Sequence, residues 1–239
     1  MPLDSQLQER IKDFLAAHDL GMLYKKYNWA GDIWENGFPK MKQLEIDLRV
    51  ATKKEYLTKT HIMAVARWGL LRNPKGVQCP ELFRISLYDG DDFAEWLKSD
   101  LTAPLETLRK NIKGMGPTYF SKILMFKRPQ LYGALDTRLV RVFGIGDATI
   151  NSHNWLSLTV RNYGSGWRIP ESQSSWPGEY NTWIEILHHI ASFCNTDGHK
   201  CPHPNGYIDN DLRKKGIWIV ADVETALFSY ASKRLKKGS

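Results

Sequence analysis

The stretch IKGMGPTYFSKILMFKRPQLYGALDTRLVRVFG, residues 112–144, carries the organisation of the chain. Gly114 and Gly116 separate two segments of helical periodicity, and Pro117 opens the second. Glycine tolerates the positive φ angles of a tight turn, and proline at a first helical position gives up an N–H that has no intrahelical partner there. The spacing predicts helix, hairpin, helix over about residues 103–128. Such a hairpin exposes backbone N–H groups beside a helix N-terminus, a geometry that holds a phosphate without reading base sequence. Lys113, Gly114, Met115, Gly116, Thr118 and Lys122 are the expected phosphate contacts, with Lys127 and Arg128 adding charge around the turn.

Downstream, Pro129 and Gly133 end the second helix and Asp136 opens another at DTRLVRVFG. As an N-cap its carboxylate contributes about 1 kcal/mol. Upstream, Leu7, Ile11, Leu15 and Leu20 recur at a period near 3.6, which predicts one amphipathic helix over residues 2–27. An aromatic-anchored loop is expected over 27–41, then two helices, the second presenting Ile62, Val65, Ala66, Leu70 and Leu71 before Pro74 stops it. Short helices are expected at 80–87 and at DDFAEWLKS, residues 91–99. Residues 151–178 hold Trp155, Trp167 and Trp176 among Ser, Gly, Pro and Asn, and read as a long insertion loop. Helices at TWIEILHHIASFC and DVETALFSYASKRLKK close the chain. Strand signals are scarce, so the expected fold class is all-α.

The 239 residues include 33 Lys plus Arg against 26 Asp plus Glu, a net charge of +7, which favours an anionic partner and excludes an acidic solvating tail. No run of 18 apolar residues exists, and the N-terminus alternates charge with apolar positions, so neither a spanning helix nor a secretory signal is expected. The protein reads as soluble and intracellular. Cys79, Cys194 and Cys201 are too few for a disulfide framework. Nine Trp on a basic chain suit base stacking, but bulky aromatic residues more often build core.

Residues 112–144 resemble the helix-hairpin-helix DNA glycosylase superfamily, which includes endonuclease III and its adenine-excising relative. That pattern has an apolar residue, G-x-G, a diagnostic position two residues on, and an Asp 18 positions further that opens a helix of the type D-T-x-apolar. Gly116, Thr118 and Asp136 fall in this register without a gap. The close match covers 33 of the 239 residues. The resemblance implies a two-lobed helical protein: a terminal domain from residues 1–28 and 137–239, including the Trp-rich insertion at about 151–180, and a helical barrel from 29–136. It also implies a DNA-associated monomer that bends duplex DNA, flips one nucleotide out and hydrolyses its N-glycosidic bond.

The chemistry of that reaction suits Asp136. As the base departs, C1′ gains oxocarbenium character, and a nearby carboxylate stabilises the charge and orients water. Members that also nick the strand carry Lys where this chain has Thr118, whose hydroxyl cannot form a Schiff base. A monofunctional glycosylase is therefore expected. Lys122 lies one helical turn beyond Thr118 on the same face, and is read as a phosphate contact or solvated side chain, with amine chemistry as the alternative. Tyr119, His61 and Trp68 are the candidate walls of a base pocket, with Thr58 on the same helix. No Glu of the adenine-excising pattern stands in the N-terminal half.

No cofactor and no metal are expected. Some relatives bind an iron–sulfur cluster through C-x6-C-x2-C-x5-C; Cys194 and Cys201 match the first interval, but Pro204 and Asn210 occupy the next two positions. Cys194, His199, Cys201 and His203 are residue types that zinc accepts, in a spacing unlike common zinc sites. The rival to an enzyme is a non-catalytic helix-hairpin-helix DNA-binding protein. A nuclease lacks a clear acidic cluster.

Overall fold

The computed structural model describes residues 3–52, 55–88, 95, 102–146, 150–164 and 166–236, and these are mostly helical. The single helix expected over 2–27 is instead two. Helix α1 (Ser5–Ala17) is capped by Asp4, whose carboxylate accepts from Gln6 N and Leu7 N. His18 is extended, and Asp19 caps α2 (Leu20–Lys25) by accepting from Met22 N at 2.9 Å. A short acidic side chain that bonds the backbone ahead of it competes with helix continuation, which is why the break falls here.

Strands β1 (Asn28–Trp29) and β2 (Asp32–Ile33) form a small antiparallel pair before α3 (Pro39–Thr52). Strand β3 (Tyr56–Thr58) leads into α4 (Lys59–Trp68) through a capping box between Thr58 and His61. Two expectations fail in this region. Helix α4 stops at Trp68 and not at Pro74, because Leu70 takes a left-handed φ of 56°. Residues 82–84 form strand β4 (Leu82–Arg84) against β3 and not a helix. The period of two explains it: Leu57 and Phe83 are buried while Tyr56, Leu82 and Arg84 are exposed. The segment DDFAEWLKS lies outside the described residues except for Glu95.

Helix α5 (Ala103–Asn111), the glycine turn and α6 (Pro117–Lys127) follow as the spacing predicts, and α7 (Thr137–Phe143) starts at Asp136. The insertion is not a plain loop. β5 (Gly144–Gly146) pairs in parallel with β6 (Leu156–Thr159), and β7 (Arg161–Asn162) pairs antiparallel with β8 (Trp167–Arg168). Trp155 stacks on Phe143 at 4.5 Å, so this aromatic residue of the insertion serves the core. Helices α8 (Gly178–Thr196), α9 (Asn205–Asp209) and α10 (Val220–Lys236) complete the chain.

Helix α10 packs on α2, α7 and α8, while α6 packs on α3, α4 and α5. Buried Arg213 joins distant parts of the chain, donating to both Glu45 oxygens at 2.7 and 2.8 Å and to Asp222 at 2.9 Å. Among the described residues no helix is long and apolar enough to cross a membrane.

Candidate active site

Asp136 sits where a buried segment meets α7. The segment is held by Tyr180 donating to Gly133 O at 3.0 Å, Trp183 Nε1 donating to Ala134 O at 2.9 Å, and Leu135 N donating to Ser121 Oγ at 2.9 Å. A Cβ on Gly133 would run into the Leu187 side chain, which would have to shift within the core. These bonds fix the backbone, and the N-cap fixes the side chain: Asp136 Oδ1 accepts from Arg138 N at 2.9 Å. Oδ2 accepts from Lys122 Nζ at 3.2 Å, and the two side chains are only 11% and 5% exposed.

Three rings enclose the Lys122 ammonium, with centroids of Trp29, Trp68 and Tyr119 at 5.4, 5.4 and 5.5 Å. At this range the negative ring faces attract the cation. The rings are locked in turn. Trp29 Nε1 donates to Trp68 O, Trp68 Nε1 donates to buried Asp32 Oδ2 at 2.7 Å, and Tyr119 donates to Gly69 O at 3.0 Å. Glu224 of α10 is buried close by. Burial raises its carboxyl to about 8, Lys122 opposing the shift and Asp136 adding to it. Burial, with Asp136 second, pushes the Tyr119 phenol up to about 12. The site is thus an aromatic box closed on a lysine and one capping carboxylate, with a second acid near it whose carboxyl burial raises.

The glycine turn of the hairpin opens α6, the helix that carries Tyr119 and Lys122 of this box. Gly114 has φ 82°, and a Cβ on it would lie 2.5 Å from Gly76 O. Lys113 is exposed, with its backbone paired to Gln78 in both directions. The N–H groups of Gly114, Met115 and Gly116 donate to no acceptor among the described residues. The Met115 side chain is buried and Thr118 is half-buried.

Several expected roles change. Lys122 is not a phosphate contact or a solvated side chain, since it is buried against Asp136. Lys127 likewise adds no charge around the turn: it is buried, donates to Tyr56 O at 3.2 Å, and is pushed down to about 8 by burial. The reason is common to both. Residues 120–127 of α6 are all buried, so long side chains there run within the core. His61 is a capping residue of α4, with Thr58 its partner at 3.0 Å, and stands about 10 Å along the helix from Trp68. Of the three expected pocket walls, Trp68 and Tyr119 do meet at Lys122. Trp29, Asp32 and Glu224 were not foreseen. Glu224 had a signal, an acid within the apolar run VETALF, whereas Trp29 and Asp32 come from a distant segment with none.

Cys201, His203 and Asp222 bring ligand-type atoms within 4.8 Å of one another. His203 Nε2 lies 3.0 Å from Asp222 Oδ2, and Arg213 Nε lies 2.9 Å from Asp222 Oδ1. The carboxylate is committed to that guanidinium, and burial raises the Cys201 thiol far above the range in which it ionises. The donor set therefore has the character of a buried ion-pair network. His199 is outside it, exposed and paired with Asp197 at 2.8 Å. No protein-family model, no curated protein and no solved structure matches the chain.

Proposed function

We propose that the protein is a base-excision DNA glycosylase that hydrolyses the N-glycosidic bond of a flipped damaged, mismatched or modified base. The observation that carries this reading is the Asp136 carboxylate, capping α7 and bonded to Lys122 of α6, the helix opened by a glycine turn whose amides at 114–116 have no acceptor among the described residues. The turn supplies an anchor for a DNA phosphate, and the net charge of +7 brings duplex to it. Asp136 then faces the positive charge that develops at C1′ and orients the attacking water. The box rings offer flat surfaces for the extruded base. Because Asp136 and Lys122 are nearly covered, substrate reaches them by opening the box, and the single bond from Tyr119 to Gly69 is the simplest edge to part.

The test is a panel of duplex oligonucleotides, each carrying one altered base, incubated with protein and treated with or without hot alkali. Breakage only after alkali is the expected result. Asp136→Asn should abolish base release while retaining DNA binding; a variant that changes only stability would favour a binding protein without chemistry.

One contact favours a second reading, in which the enzyme is also a lyase. Lys122 Nζ lies 3.2 Å from the Asp136 carboxylate that this proposal sets at C1′. Lys122, once its ammonium has lost a proton to water, would attack C1′, forming an N–C1′ bond as the bond to the base breaks and the base leaves with a proton. Borohydride trapping separates the two: a covalent protein–DNA adduct that disappears in Lys122→Gln establishes the lyase, and no adduct leaves water as the nucleophile.

A further inference from the structure

We propose that the ribbon β7–β8 in the insertion is a second anion-binding element that holds the sugar–phosphate backbone of duplex DNA; the choice of DNA among polyanions rests on the function proposed above. Within the ribbon Arg161 stands directly opposite Arg168. Like charges opposed across a strand pair destabilise it. Both residues are exposed, and neither guanidinium has a carboxylate or other hydrogen-bond acceptor among the described residues. An anion seated between them removes the repulsion and accepts charge-assisted hydrogen bonds from both.

The ribbon is seated by its other face. Asn162 pairs with Trp167 there, and Trp167 lies under the Arg141 guanidinium at 4.2 Å. The arginine pair is thereby left outward. At the tip Tyr163 is 53% exposed and lies against Arg168 at 5.4 Å, an aromatic surface coupled to the cation. The ribbon's base is close to the hairpin. Glu171, three residues beyond Arg168, bonds Arg109 of α5 at 3.2 Å, and its other oxygen is 3.5 Å from where a Cβ on Gly116 would project. A duplex with one phosphate on the amides of residues 114–116 therefore has the ribbon within reach of its neighbouring phosphates.

The test is fluorescence anisotropy with a short unmodified duplex across a salt series. Arg161→Ser with Arg168→Ser should weaken binding about tenfold near physiological salt and lower the slope of log K against log salt by about 1.8. The melting temperature should hold or rise, because a like-charge pair has gone. If that variant fails to fold, Arg161→Glu replaces repulsion by an ion pair to Arg168, and should bind DNA weakly while melting no lower than the parent. An unchanged salt slope in a folded variant overturns the proposal. So does a greater loss of binding to an RNA duplex of the same sequence than to DNA. Base release is not the readout, so a protein that binds through the ribbon but excises nothing sinks only the glycosylase reading.

Discussion

The Lys122 ammonium lies 3.2 Å from Asp136 Oδ2, and both side chains are almost withdrawn from water. A buried pair of this kind costs more when one partner is removed than when both are, because the survivor is a charge without its counterion. Lys122→Met and Asp136→Asn singly should each lose about 3 kcal/mol. The double variant should lose less than either single, so it should fall short of the sum by about 3 kcal/mol or more in urea denaturation. Strict additivity would mean that the two groups do not interact in solution.

Glu224 makes the stability depend on pH. Burial raises its carboxyl to about 8, so the folded protein holds a proton that the unfolded chain releases near the usual carboxylate range. Its contribution is complete below that range and is lost as pH rises through about 8. Unfolding free energies measured at acidic, neutral and mildly alkaline pH should decline through this window. In Glu224→Gln that decline should flatten, because the amide has no proton to lose.

Gly114→Ala tests the turn. The position needs φ 82° and has Gly76 O only 2.5 Å from the site of a Cβ. The substitution should cost about 1–3 kcal/mol by backbone strain and displacement of the backbone at Gly76 and Val77. DNA affinity should fall with it, since the amides at 114–116 move. Chemical denaturation and anisotropy on one preparation check both effects.

Arg213→Leu should be the most damaging surface-neutral change. It leaves Glu45 and Asp222 buried without the guanidinium that bonds them at 2.7 to 2.9 Å, at a cost of about 3–5 kcal/mol. Arg213→Lys should recover only part of this, because an ammonium cannot span both carboxylates with a planar fork. Thermal unfolding of the two variants gives the comparison.

Elements whose signals are short-range were readable in advance. Gly114, Pro117 and Asp136 announce a turn, a helix start and a cap, and each occupies that role. The failures share a different origin. Leu82–Arg84 carries too few residues to display its period of two, and the break at His18 depends on a cap that competes with a pattern still apolar at Leu20. At the candidate site, Asp136 was legible as the cap that opens DTRLVRVFG, while the position of Lys122 was misjudged because helical spacing cannot say which faces of α6 are covered. All of residues 120–127 are.

By itself the sequence determined the helical class, the glycine turn and the capping aspartate, because these follow from backbone sterics and hydrogen bonding among near neighbours. Packing alone decided that Lys122 turns inward to Asp136, that Trp29 and Trp68 wall it, and that Glu224 keeps its proton beside them. These residues come from five separate elements. Which side chains share a low-dielectric space is a property of how those elements stack, and no local pattern encodes it.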